Sequence, residues 1–325
     1  MITSSASPTE PAKTEAPAFE HAAGVRLLKL LREAGYRFIT PKPATHRLVL
    51  KQRQNQVAQD LRDALGWSLP FKADGLPSEI FAALEAAGRL EPHPQGYKAC
   101  IRVSSLGDDL FIHSAYPPRA ADAVFFGPDT YRFARLLRDV LAETGDVHHL
   151  VDIGAGSAAG AIAAARVCRP SRLTVTDVNP QALAAARVNL EAAGLQAELR
   201  LGRGIDALDG PADVIIANPP FIAGDGDRTY RDGGDMLGAR LSFDWALAGA
   251  ARLSPGGRFV LYTGSAIVDG RDALHEALAE RLEAARFQLS YEEIDPDIFG
   301  GQLASAAYQG VERIAAIGAV IRRLD

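Results

Sequence analysis

From about residue 125 the chain repeats one unit: a short run of apolar and β-branched residues, a turn, then an alanine-rich helical stretch. The runs fall at 149–153, 172–176, 197–201, 213–217, 258–263, 287–294 and 311–321. Between them, "AAGAIAAARVC", "PQALAAARVNLEAAG" and "LSFDWALAGAARL" carry apolar residues at helical spacing. Such alternation predicts an α/β fold with a parallel sheet covered on both faces. The last two runs are joined only by the loop "DPDIFGGQLASAAYQG", so they are expected to pair antiparallel. Ligands of such sheets bind outside the carboxyl ends of the strands. The residues at those ends therefore carry the functional signal.

The first run leads into "VDIGAGSAAGA", residues 151–161. Gly154 and Gly156 permit a tight turn and a close backbone approach to a ligand. The helix that follows offers free N–H groups suited to a carboxylate or phosphate. After the second run stands Asp177, placed to accept both hydroxyls of a ribose. Two ligands satisfy this pattern. Gly154-x-Gly156-x-x-Ala159 meets the loose dinucleotide fingerprint of a nicotinamide or flavin oxidoreductase. Asp152, however, adds negative charge where a pyrophosphate would lie, and suits a ligand carrying an ammonium or sulfonium. S-adenosylmethionine has both, with a carboxylate for the helix start and a ribose for Asp177.

The fourth run, "ADVIIA", ends in Asn218-Pro219-Pro220-Phe221. Two prolines cannot donate backbone hydrogen bonds, and the residue before a proline is pushed out of helical geometry. The chain is expected to leave the sheet in a stiff corner, with a polar amide before it and an exposed ring after it. With "VDIGAGSAAG" and Asp177, "NPPF" resembles the class I S-adenosylmethionine-dependent methyltransferases, over about residues 125–325. The resemblance implies a Rossmann-like seven-stranded sheet and S-adenosylmethionine as cofactor. It implies a cofactor shell of Asp152, Gly154, Ala155, Gly156, Asp177, Val178 and Asn218, and a catalytic set of Asn218, Pro219 and Phe221. Enzymes with this signature methylate planar nitrogens. Ala158 departs from the glycine usual in the first motif.

Upstream, Pro128-Asp129-Thr130 in "VFFGPDTYRFARLL" resembles the HemK-like glutamine methyltransferases; the residues alone also suit a helix cap. The same small-domain group includes ribosomal RNA enzymes, and HemK-like enzymes more often have Tyr where Phe221 stands. The first choice of target is a glutamine side-chain amide of a translation-related protein. The alternative is an adenine or guanine amino group in rRNA or another nucleic acid. "DPDIFGG" is a candidate lid.

The first 20 residues, rich in Ser, Thr, Pro, Ala and Glu, are expected to be a disordered tail. Residues 21–120 mix helices with a hairpin over "QGYKACIRVSSLGDDLFIHSAY" and are expected to form a small α+β, winged-helix-like substrate-recognition module. Residues 121–325 would be the catalytic domain. Within the module, Lys42, Arg47, Lys51 and Arg53 form a basic segment, although the whole chain carries a net charge of -5. Cys100 and Cys168 have no metal-ligand spacing and suit a reduced, cytosolic protein. No apolar run is long enough to span a bilayer. The implied partner is a macromolecular substrate, protein or RNA.

Overall fold

The computed structural model describes residues 20–53, 56–118, 120–223 and 233–324. The expected tail, through residue 19, lies outside them. The amino-terminal elements are helices α1 (His21–Glu33), α2 (Pro43–Gln52), α3 (Leu61–Leu65) and α4 (Ser78–Ala86), then hairpins β1 (Leu90–His93)–β2 (Gly96–Ala99) and β3 (Ile101–Leu106)–β4 (Asp109–Ser114). The sequence predicts one hairpin here. There are two, because Cys100 breaks the run: its N–H bonds back to Arg89, and the strand resumes at Ile101 with a new partner. The Gly107-Asp108 turn closes the second hairpin, with Gly107 at φ +60°.

Next come α5 (Pro128–Leu141), β5 (His149–Ile153), α6 (Ala159–Cys168), β6 (Arg172–Asp177), α7 (Pro180–Ala192), β7 (Glu198–Leu201) and β8 (Ala212–Ala217). They are followed by α8 (Arg240–Ala250), β9 (Leu253–Val268), β10 (Arg271–Asp272), α9 (Ala273–Arg281), β11 (Phe287–Asp295) and β12 (Arg313–Arg323). The main sheet has the order β11-β12-β9-β8-β5-β6-β7, with β10 paired to β9. Strands β9, β8, β5, β6 and β7 run parallel, and β12 is antiparallel to both of its neighbours. The expected seven-stranded α/β sheet with an antiparallel carboxy-terminal pair is therefore what forms.

Strand β5 lies between β6 and β8, so the chain order reverses there. This is the switch point at which such sheets open a crevice. The parallel register pairs Ile153 with Thr176 on one side and with Ala217 on the other. Gly154, Asp177 and Asn218 are thereby the next residues of three adjacent strand ends, or the last residue in the case of Asp177.

The amino-terminal elements are packed onto the sheet unit through α7. Val188 and Ala192 of α7 share an apolar cluster with Leu27, Leu28 and Leu31 of α1 and with Ile112 of β4. Asn189, fully buried, fixes this contact. Its amide accepts the Ile112 N–H at 2.8 Å and donates to the Ile112 carbonyl at 3.1 Å and the Ser157 carbonyl at 2.9 Å. One side chain thus ties hairpin β3–β4 to the glycine-rich turn, with its amide satisfied as burial requires.

Candidate active site

The glycine-rich turn folds as the sequence predicts. Gly154 and Gly156 have φ of +68° and +55°, the left-handed region that disfavours other residues. The turn is tied across the sheet, where the Ala155 N–H meets the Thr176 carbonyl at 3.0 Å and the Ala158 N–H meets the Ala155 carbonyl at 2.8 Å. At Gly156 an added Cβ would meet nothing within 4 Å, so the space beside it is open to a ligand. At Gly154 it would come within 2.7 Å of the Trp245 ring, and at Gly204 within 2.7 Å of the same indole. Trp245 of α8 is therefore wedged against both the turn and the segment after β7. In the sequence Trp245 stands only as a lone large ring on the helical stretch "FDWALAG". Ala158 also adopts the left-handed region, at φ 59°, fully buried.

Asp177 ends β6 with its carboxylate held from two sides. One oxygen accepts the Gly156 N–H and the other the Asn179 N–H, each at 2.8 Å. Each oxygen keeps a lone pair for a further donor. Burial pushes its pKa up, against the lowering effect of those backbone bonds. Val178, next in the chain, is 45% exposed, and Leu201, opposite Asp177 in the β6–β7 register, is 63% exposed. Two open apolar side chains beside Asp177 suit the flat face of a purine. Nothing local in the sequence marks Leu201 for this position.

Asp152 departs from expectation. It does not stand open to a cationic ligand: it is 2% exposed and accepts the Ala161 N–H at 2.8 Å, bracing the first turn of α6. Burial pushes its carboxyl up to about 8, and nearby Asp177 adds to the rise. A folded-state acid raised above its unfolded value binds its proton more tightly when native. Stability is then present at low pH and is lost as pH rises from about 4 to about 8. Between pH 5 and 7 this one group is expected to cost about 2–3 kcal/mol of stability. Asp152→Asn keeps an acceptor for Ala161 and should flatten that slope. Urea unfolding of both proteins at pH 5 and pH 7 measures it, and parallel slopes would refute the assignment.

Asn218 follows β8 directly, half-buried, and its side chain has no hydrogen bond among the described residues. Pro219 beside it is buried. Phe221 corrects the expected exposed ring. It is 8% exposed, lies edge-on to Tyr262 at 6.4 Å and to Phe299 at 5.7 Å, and would sit 2.5 Å from a Cβ at Gly264. The missing side chain of Gly264 makes an apolar socket, and burying the ring there is favourable. Phe221 thus anchors the corner instead of standing ready as a stacking face. Phe299 belongs to "DPDIFGG", the candidate lid, and Tyr308 further along accepts the Ala223 N–H at 2.7 Å. The loop before β12 packs on the corner. Residues 224–232 lie outside the described residues.

Asp129 and Thr130 divide their work. The Thr130 hydroxyl accepts the Gly127 N–H at 3.2 Å and so does the capping of α5. Asp129, 3% exposed, accepts the Tyr262 hydroxyl at 2.7 Å, the same Tyr262 that borders Phe221.

Residues 121–267 match the family model of the methyltransferase small domain. The sheet unit is similar to that methyltransferase domain over less than half of the chain. The likeness indicates S-adenosylmethionine as cofactor, and the open space at Gly156, the two-sided hold on Asp177 and the exposed Val178 fit it. A ribosomal RNA small subunit methyltransferase C from Pseudomonas entomophila is 40% identical over 76 residues, 23% of each chain. A release factor glutamine methyltransferase from Deinococcus radiodurans is 29% identical over 161 residues, 46% of this chain and 54% of that one. The chain thus spans from about a quarter to about half the length of these relatives. A methyltransferase structure from Agrobacterium tumefaciens aligns with 71% of this chain and 72% of its own, at 16% identity and a TM-score of 0.49. Among the described residues no helix is long and apolar enough to cross a membrane, and no cluster of acidic, His or Cys side chains could hold a metal.

Proposed function

We propose that this protein transfers a methyl group from S-adenosylmethionine to a planar nitrogen of a macromolecule of the translation machinery. One observation carries the reading: the Asn218 amide, without a hydrogen bond among the described residues, on a proline corner one strand away from the glycine turn. When bound, S-adenosylmethionine supplies an electrophilic methyl group. The chain's own task is then to orient a poor nucleophile, whose lone pair is delocalised into a π system. The Asn218 side-chain oxygen accepts one N–H of the target and the Pro219 carbonyl accepts the other. Together they aim the nitrogen and stabilise the positive charge that grows on it. The prolines and the buried Phe221 keep these acceptors from moving, and fixed orientation lowers the barrier by several kcal/mol. No general base acts before transfer, because the proton leaves afterwards.

Two targets meet these demands. The exocyclic amine of an RNA base is favoured by the exposed basic face of α2, described below. A glutamine amide is the second reading, supported by the release-factor relative and by Pro128-Asp129-Thr130. Tritiated-methyl transfer into an extract of cells lacking this gene, split by nuclease and protease, separates them. Nuclease-sensitive label supports the base amine and protease-sensitive label the amide. No label in either fraction, with cofactor binding intact, rejects the proposal.

A further inference from the structure

Helix α2 does little for the core. His46 is its one buried residue, pinned by a 3.1 Å contact of Nε2 with the Trp67 carbonyl, and burial pushes its pKa down to about 4, so it stays neutral. The remaining face of α2 looks outward. Lys42, Arg47 and Lys51 are exposed, and Leu48 among them is 60% exposed. The segment 42–53 holds four basic residues and no acidic one. Asp63 neutralises Arg53 at 2.5 Å, but Lys42, Arg47 and Lys51 form no ion pair among the described residues.

A fourth positive charge stands behind them. Tyr116 stacks on His46 at 4.0 Å, and the Arg102 guanidinium lies 5.8 Å from the Tyr116 ring. Arg102 is 7% exposed, donates Nε–H to the Ser114 carbonyl at 3.2 Å, and has no carboxylate partner among the described residues. A buried cation without a counter-ion is costly, and it adds positive potential to the surface above it.

The segment leading into α2 is tied to α5, beside the candidate site. The Thr40 N–H donates to the Tyr131 hydroxyl at 3.0 Å, which sets the start of α2 against the first turn of α5. That turn holds Asp129, whose carboxylate feels the charge of Lys42 and bonds Tyr262 beside Phe221. Ile39, 65% exposed, lies between α1 and this junction.

From the unpaired charges, the buried Arg102 and the tie of the α2 segment to α5, we infer that α2 is a docking face for the phosphate backbone of RNA, holding the molecule from which a base reaches the corner. The inference rests on the methyl-transfer reading above. A protein substrate would have to be strongly acidic to match this face, whereas RNA brings its charge at every nucleotide.

The test uses the full chain and a labelled 40-nucleotide RNA hairpin from small-subunit ribosomal RNA, titrated from 50 to 250 mM salt. The triple variant Lys42→Glu, Arg47→Glu, Lys51→Glu changes exposed positions only. It is expected to bind the hairpin at least tenfold more weakly at 100 mM salt. The slope of log affinity on log salt should shrink by about 2–3 as phosphate contacts are lost. S-adenosylmethionine affinity should be unchanged, which shows that the variant is folded. Equal hairpin affinity and slope in the two proteins would overturn the inference, as would displacement of the hairpin by poly-glutamate at equal charge concentration. Hairpin binding that depends on α2 without any methyl transfer would leave the face standing and sink the transfer reading instead.

Discussion

Asn218→Ala is expected to lower methyl transfer about 10²–10³-fold, the usual cost of losing one preorganised group that stabilises developing charge. Affinity for S-adenosylmethionine should stay within about twofold if, as proposed, the Asn218 amide acts on the substrate more than on the cofactor. Its amide makes no hydrogen bond among the described residues, so removing it orphans none of them and is expected to cost little stability. Asn218→Asp keeps an acceptor oxygen in the same place and should retain more activity than alanine. Single-turnover transfer rates together with calorimetric cofactor titration separate the two effects. An alanine variant with full activity, or one that loses cofactor affinity in step with activity, would show that Asn218 does not orient the target.

The sheet was legible because its strands are buried on both faces and are therefore continuous apolar runs. Val214, Ile215 and Ile216 are all fully buried, and nothing but a central strand accommodates such a run. The positions of Gly154, Gly156, Asp177 and Asn218 followed from strand ends alone, since parallel register places those ends together. What stayed hidden depends on contacts distant in sequence. The burial of Phe221 is decided by the absence of a side chain at Gly264 and by Phe299 across the sheet. The braced position of Asp152 depends on where the first turn of α6 falls. Trp245 and Asn189 act at the turn from helices whose sequences read only as amphipathic packing. The second hairpin was missed for a different reason: an alternating run of this length has no local mark at Cys100 to show that it changes partners.

Asp177→Ala should weaken S-adenosylmethionine binding by about 10- to 100-fold, the range set by losing charge-assisted hydrogen bonds of about 1.5–3 kcal/mol. Part of that loss is direct, through the ribose hydroxyls. Part is indirect, because the same carboxylate holds the Gly156 N–H at 2.8 Å and so sets the turn against which the cofactor rests. Asp177→Asn separates them in part. Its amide oxygen can still accept from Gly156, while the charge, one acceptor for the ribose and the bond from the Asn179 N–H are lost. If the turn tether dominates, asparagine recovers most of the affinity; if the ribose contact dominates, asparagine resembles alanine. Binding of S-adenosylhomocysteine measured in parallel should fall by the same factor in each variant, since it carries the same ribose. A loss confined to S-adenosylmethionine would place Asp177 near the sulfonium and remove it from the ribose. The expected order follows from geometry, because Asp177 closes β6, two strands away from Asn218 with β5 between them. Cofactor affinity and target orientation are then set by different strand ends, and the two alanine variants should fail in opposite ways.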